Sequence, residues 1–213
     1  MISVLQVMKM IESQAKKISS FFISNGVIDE RDREKFDYCY EVMLSTLLNV
    51  LAVLLAGAVT GFLPQTVYFL AAFALLKNTV GGYHAASHPG CFLCTLCTFL
   101  AFRLLGALLP EDVLPMLTVL MASFAVVTVF HLAPVGTENK PLGRKQAVRL
   151  RRDSRFLVVL ILLFILFMLA GRIDPQLPFS VSSGITAAAG SLIAGKARLD
   201  RAAAPEPRQD HSV

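Results

Sequence analysis

The chain has 213 residues, of which 55% are hydrophobic and 16% are charged, and its mean hydropathy is +0.62. Soluble domains usually carry about 25% charged residues, so this composition excludes an ordinary soluble domain and predicts an integral membrane protein. The net charge of +5 does not indicate a nucleic-acid partner, because the basic residues lie beside apolar stretches, where they set topology and contact anionic lipid.

The chain begins with a predicted amphipathic helix over residues 1–22. Its apolar residues recur at helical spacing: Val4, Leu5, Met8, Ile11, Ala15, Ile18 and Phe22. Such a helix would lie either on the membrane surface or on the protein. Residues 25–38 are rich in charge and predict a solvated turn and helix. We therefore assign residues 1–40 to an amphipathic and charged N-terminal segment in the cytoplasm.

Six apolar runs follow, each about as long as the roughly 20 residues that cross a bilayer. They lie near residues 41–61, 64–80, 91–109, 113–133, 156–171 and 177–195. The predicted fold class is an all-α, polytopic membrane protein with about six transmembrane helices. Its transmembrane catalytic domain spans 41–195, and the cytoplasmic tail 196–213 is predicted to be disordered because it is polar and contains prolines.

The positions of the basic residues predict the topology of these spans. Lysine and arginine cluster in the N-terminal segment, in the 134–155 loop and in the C-terminal tail, and they are nearly missing from the connections after spans one, three and five. The positive-inside rule then places both termini and the 134–155 loop on the cytoplasmic side of the cell membrane. With six spans, the turn over 81–90 is cytoplasmic too.

A histidine and a cysteine form the candidate catalytic pair. In the stretch GGYHAASHPGC over 81–91, His84 stands seven residues before Cys91. A thiol needs a base to become a thiolate nucleophile, and imidazole is the usual partner. On one unbroken helix the two residues would be about 10 Å apart, which exceeds the roughly 3 Å of a hydrogen bond.

Two flexible points could bring this pair together. We expect Pro89-Gly90 to break the helical path and Gly81-Gly82 to supply a second joint, so that the loop folds back. Cys91 would then sit in the first turn of the third span. Free N–H groups and the helix dipole there favour the thiolate and could hold the oxyanion of a tetrahedral intermediate.

Several neighbours could support or compete with this site. His88 is the competing base, and Asn78 and Ser87 are within reach of a folded-back loop. Lys77 could orient the site or bind a substrate carboxylate, or it could be a lysine that extends to the membrane interface. Cys94 and Cys97 are expected to be small core residues.

A metal site is the alternative interpretation of the same residues. His84, His88, Cys91 and Cys94 form the pattern H-x3-H-x2-C-x2-C, whose ligand types suit zinc. Pro89-Gly90 would disturb the register between the two pairs, and no acidic residue lies nearby to orient the histidines. We therefore predict no metal and no cofactor. The alternative function is a non-catalytic membrane scaffold or transport protein with a His/Cys metal-binding cluster.

Two separated motifs resemble the AgrB family of membrane cysteine peptidases, which process quorum-sensing pro-peptides. The first is the glycine pair with His84 and Cys91, and the second is APVGTENKPL over 133–142, followed by a basic run to Arg155. The similarity covers about residues 1–195. Family members often carry arginine at the position of Lys77, and lysine lacks the bidentate grip of arginine on a carboxylate.

The resemblance implies a reaction and its partners. Cys91, with His84 as base, would cleave off the C-terminal part of a small AgrD-like precursor peptide through a thioester. The precursor's own cysteine or serine would then close a thiolactone or lactone. The implied partners are this peptide, the lipid membrane and a second copy of the chain. An acidic precursor segment would dock on the basic stretch, which contains Lys140, Arg144, Lys145, Arg149, Arg151 and Arg152.

Overall fold

The computed structural model describes residues 4–82, 88–136 and 143–202. These residues form seven α-helices and no strands: α1 (Val4–Ser24), α2 (Arg33–Val59), α3 (Leu63–Val80), α4 (His88–Leu108), α5 (Leu114–Leu132), α6 (Arg144–Ala170) and α7 (Gln176–Ala202). A single 3-10 turn, Glu30–Asp32, precedes α2. The predicted all-α membrane class is confirmed. The prediction of a disordered tail over 196–213 is wrong for 196–202, because α7 continues to Ala202. The tail beyond Ala202 lies outside the described residues.

A helix covers most or all of each of the six predicted spans. Among the described residues, four segments are long and apolar enough to cross a membrane: Glu30–Val59, Leu114–Leu132, Arg144–Ala170 and Gln176–Ala202. The apolar part of α4, Phe92–Leu108, is shorter. α3 is not among the four, since its 18 residues include Gln65, Lys77 and Asn78.

The chain divides into two compact units. The first unit comprises the described residues of 1–67 and 85–105. Its helix α1 is amphipathic as predicted, and its inner face packs on α2, with Ile11, Ala15 and Ser19 buried. The Ser19 hydroxyl donates a hydrogen bond to the Asp37 carboxylate on α2. The sequence allowed this helix to lie either on the membrane surface or on the protein. Its apolar face lies on the protein.

The second unit comprises the described residues of 68–84 and 106–213. α7 packs on α5 and α6, and α5 also packs on α6. The core includes the end of α3 and the inner faces of α5, α6 and α7, with buried residues such as Leu76, Val80, Val129, Ile165, Ile185 and Leu192. α7 is rich in serine, glycine and alanine. Such small residues allow close approach between membrane helices, where van der Waals packing drives association.

Gly184 on α7 provides a test of this close packing. A Cβ atom at Gly184 would lie 2.4 Å from the Phe69 carbonyl oxygen and 3.0 Å from the Phe73 nitrogen, both backbone atoms of α3. Gly190, six residues further along α7, has nothing within 4 Å of its Cβ position. We expect Gly184→Ala to destabilise the protein by about 1–3 kcal/mol, as overpacking usually does.

Gly190→Ala is the matched control on the same helix. Alanine is a better helix former than glycine by about 1 kcal/mol, so this variant should unfold at or slightly above the wild-type midpoint. The chain has no tryptophan, and thermal unfolding in detergent is best followed by circular dichroism. Equal midpoints for the two variants would contradict close packing of α7 on α3.

Candidate functional site

The structure describes the flanks of the predicted catalytic segment. His84, Ser87 and Lys140 lie outside the described residues. For Cys91 and the competing base His88 only the backbone is described. The described residues on either side of 83–87 are the end of α3 with the glycine pair and the start of α4.

On the downstream side, the prediction that Pro89-Gly90 breaks the helical path is wrong. α4 begins at His88 and runs through Pro89 and Gly90, so Cys91 is its fourth residue. Proline is accommodated here because the first turn of a helix has no intrahelical partner for its N–H groups. Cys91 lies at the start of a helix, as predicted, where the helix dipole has its positive end.

On the upstream side, Gly81 and Gly82 are attached to the segment that follows α5. The Val135 N–H donates a 3.0 Å hydrogen bond to the Val80 carbonyl, and the Gly82 N–H donates a 3.2 Å bond to the Val135 carbonyl. Gly81 and Val135 thus form an isolated parallel bridge. Gly81 and Val135 belong to the two separate motifs of the sequence and are 54 positions apart, and the motifs meet at this contact, which we call the Gly81–Val135 bridge.

The glycine pair is a packed junction rather than the flexible joint that we predicted. Both glycines have positive φ angles, +71° at Gly81 and +101° at Gly82, which side-chain-bearing residues rarely adopt. A Cβ atom at Gly81 would lie 2.2 Å from the Val135 carbonyl oxygen, and one at Gly82 would lie 2.8 Å from the Ser191 carbonyl oxygen on α7. Both positions therefore exclude a side chain.

Lys77 lies one helical turn before this junction, and its ammonium group faces α7. It is half-buried, and its Nζ donates a hydrogen bond of 2.5 Å to the Ser191 hydroxyl. Asn78 is exposed. Sequence reasoning singled out Lys77 but missed Ser191, because nothing in the spacing connects two residues 114 positions apart.

Apart from Lys140, the basic residues predicted as a docking surface lie along the first turns of α6, so the predicted loop over 134–155 is helical from Arg144 onward. The side chains of Arg144, Lys145, Arg149, Arg151 and Arg152 are all exposed. Asp153 contacts two of these guanidinium groups, at 3.6 Å from Arg149 and 3.4 Å from Arg152. Exposed pairs of this kind contribute little to stability, so the surface remains strongly cationic.

The two cysteines that follow Cys91 are not core residues. Cys94 and Cys97 are both exposed and reduced on α4, so our prediction of core packing is wrong. Their three-residue spacing places them on one side of the helix, and that side is not covered by the first unit. The other candidate zinc ligands, His84, His88 and Cys91, have no described side chain, so the metal alternative stays a prediction.

Comparison with known proteins gives a consistent result. The family model described as accessory gene regulator B, AgrB, matches residues 15–193. An AgrB-like protein of Clostridium perfringens strain 13 is 26% identical over 164 residues, which cover 73% of this chain and 75% of the relative. An AgrB-like protein of Clostridium beijerinckii is 28% identical over 146 residues, which cover 66% and 71%. No solved structure matches this chain significantly.

Proposed function

Because this chain belongs to the accessory gene regulator B family, we propose that it is a membrane cysteine endopeptidase that matures a small signalling precursor peptide. The substrate is an AgrD-like precursor, and the product is a thiolactone or lactone ring that still carries the N-terminal leader. The observation that carries the proposal is the family match across 15–193, which includes His84 and Cys91 at a spacing of seven residues.

The first half of the reaction is acyl transfer to Cys91. His84 takes the thiol proton, and the thiolate attacks the carbonyl carbon of the scissile peptide bond. The carbon–nitrogen bond then breaks, the leaving amine takes the proton from the imidazolium, and a thioester remains on Cys91. The position of Cys91 in the first turns of α4 supports this role, because the N-terminal end of a helix stabilises a thiolate.

The second half closes the ring. The thiol or hydroxyl of the precursor gives its proton to His84 and attacks the thioester carbonyl, the bond to the Cys91 sulfur breaks, and the proton returns to Cys91. Exchange of one thioester for another is nearly isoenergetic, so water must be kept from the acyl group. Ring closure is favoured where the bilayer limits water.

The charge of α6 supports a peptide substrate with an acidic segment. The exposed cationic start of α6, from Arg144 to Arg152, suits such a segment of the precursor. In the proposed topology both termini and the site lie on the cytoplasmic side of the cell membrane. A second copy of the chain is the proposed protein partner.

A trapped acyl-enzyme would test the proposal directly. A precursor whose ring-forming residue is replaced by alanine cannot complete the second half of the reaction, so the thioester should accumulate. We expect intact-mass spectrometry of the purified membrane protein to show an added mass. This mass should equal that of the N-terminal part of the precursor up to the cleavage site, joined to Cys91 as a thioester, and hydroxylamine should remove it.

The matched control is Cys91→Ala, which should carry no adduct with the same precursor. An adduct that persists in this variant would show that a residue other than Cys91 is the nucleophile. Neither cleavage nor an adduct in the wild-type protein, together with zinc that stays bound through purification, would favour the non-catalytic metal-binding alternative.

A further inference from the structure

Ser191 of α7 contacts the chain at both ends of the segment that leads to His84. Its hydroxyl accepts the hydrogen bond from Lys77 Nζ at 2.5 Å. Its carbonyl oxygen lies so close to Gly82 that a Cβ atom there would approach it to 2.8 Å. Between these contacts lie the last turn of α3 and the glycine pair, and His84 follows Gly82 by two residues.

The opposite side of the same segment is held by Val135. Its N–H and carbonyl groups bond to Val80 and Gly82 respectively, so Gly82 lies between the Gly81–Val135 bridge and the backbone of α7. Gly82 is buried. The direction in which the chain leaves Gly82 is therefore determined by contacts on two sides, one of which depends on Ser191.

We propose that Ser191 is a positioning residue for the catalytic base: by holding Lys77 and bounding Gly82, it fixes the direction in which the chain continues toward His84. This inference rests on the proposed function, in which His84 is the base. In this role Ser191 acts through Lys77 and Gly82, so it is a positioning residue and not a catalytic one.

The hydroxyl is the part of Ser191 that a substitution can remove without altering the backbone. A hydrogen bond between an ammonium group and a hydroxyl is stronger than a neutral one, and its loss lets the end of α3 shift against α7. Small misplacements of catalytic groups cost large factors in rate. We expect Ser191→Ala to lower kcat for precursor cleavage about tenfold and to leave KM within about twofold.

A second measurement reports on the pair without using cleavage. Cys39, Cys94 and Cys97 are exposed, so they are first replaced by alanine, and the rate of Cys91 alkylation by iodoacetamide is measured against pH in proteoliposomes. The thiolate is the species that reacts. A well-placed His84 should bring the midpoint of this profile to lower pH, and His84→Ala should raise it. Ser191→Ala should move the midpoint toward that of His84→Ala.

Two variants separate positioning from general destabilisation. Gly190→Ala changes the adjacent residue of α7, where nothing lies within 4 Å, and should retain the wild-type kcat and alkylation profile. Ser191→Thr retains a hydroxyl and should restore most of the rate lost in Ser191→Ala. Wild-type kcat and an unchanged profile in Ser191→Ala, or an equal loss in Gly190→Ala, would overturn the positioning role.

The His84→Ala arm distinguishes failure of this inference from failure of the proposed function. If His84→Ala shifts the profile and stops cleavage while Ser191→Ala does neither, only the positioning role of Ser191 is wrong. If His84→Ala itself leaves cleavage and the profile unchanged, His84 is not the base, and the positioning role is overturned together with that assignment.

Discussion

Replacement of Cys91 by alanine is expected to lower the rate of precursor cleavage at least about a thousandfold, because covalent catalysis has no other route once the nucleophile is gone. The measurement is co-expression with the precursor, followed by mass spectrometry of the released C-terminal fragment and of the ring. Cys94→Ala and Cys97→Ala are the matched controls, since both change an exposed cysteine of the same helix. Both should retain cleavage.

The two histidines of the segment provide the second half of this test. Removal of a general base typically lowers the rate by a factor of about 10²–10⁴. The cleavage rate of His84→Ala should therefore fall by that factor, while the cleavage rate of His88→Ala should stay close to that of the wild type. Membrane abundance of each variant must be measured alongside. A large loss of cleavage rate in His88→Ala with little change in His84→Ala would make His88 the base. Cleavage by Cys91→Ala would contradict the cysteine mechanism.

Replacement of Gly81 by alanine is expected to have the largest effect among the glycines. Gly81 and Gly61 have similar positive φ angles, +71° and +76°. Alanine in that region costs about 1–2 kcal/mol by itself. At Gly61 nothing lies within 4 Å of the new Cβ, whereas at Gly81 the new Cβ would also meet a backbone atom, the Val135 carbonyl oxygen, at 2.2 Å. Gly81→Ala must therefore break the Gly81–Val135 bridge, whereas Gly61→Ala bears only the conformational cost.

Cleavage rate per folded protein, together with the thermal midpoint, would separate the two effects. We expect Gly61→Ala to lower the midpoint modestly and to retain cleavage. Gly81→Ala should lose cleavage about a hundredfold or more, because the chain that leads to His84 is displaced. If both variants behave alike, the Gly81–Val135 bridge has no role in the site.

The sequence by itself was sufficient to predict the all-α membrane class of this chain and its family. Apolar runs of membrane length and the spacing of residues such as Ile11 and Ala15 on α1 are local properties, because backbone hydrogen bonds within a helix depend on nearby residues only. The seven-residue spacing of His84 and Cys91 is likewise present in the sequence. These features were sufficient to predict an all-α membrane protein of the AgrB family.

Only the tertiary structure decided how these helices hold the flanks of the candidate site. The partner of Lys77 lies 114 residues away, and the Gly81–Val135 bridge joins segments that no local pattern relates. The glycine pair illustrates the reason. In a sequence, Gly-Gly predicts a flexible joint, because glycine permits more backbone conformations than other residues do. Here Val135 and Ser191 approach so closely that only glycine fits. Close contacts between distant segments turn a locally flexible pair into a fixed junction.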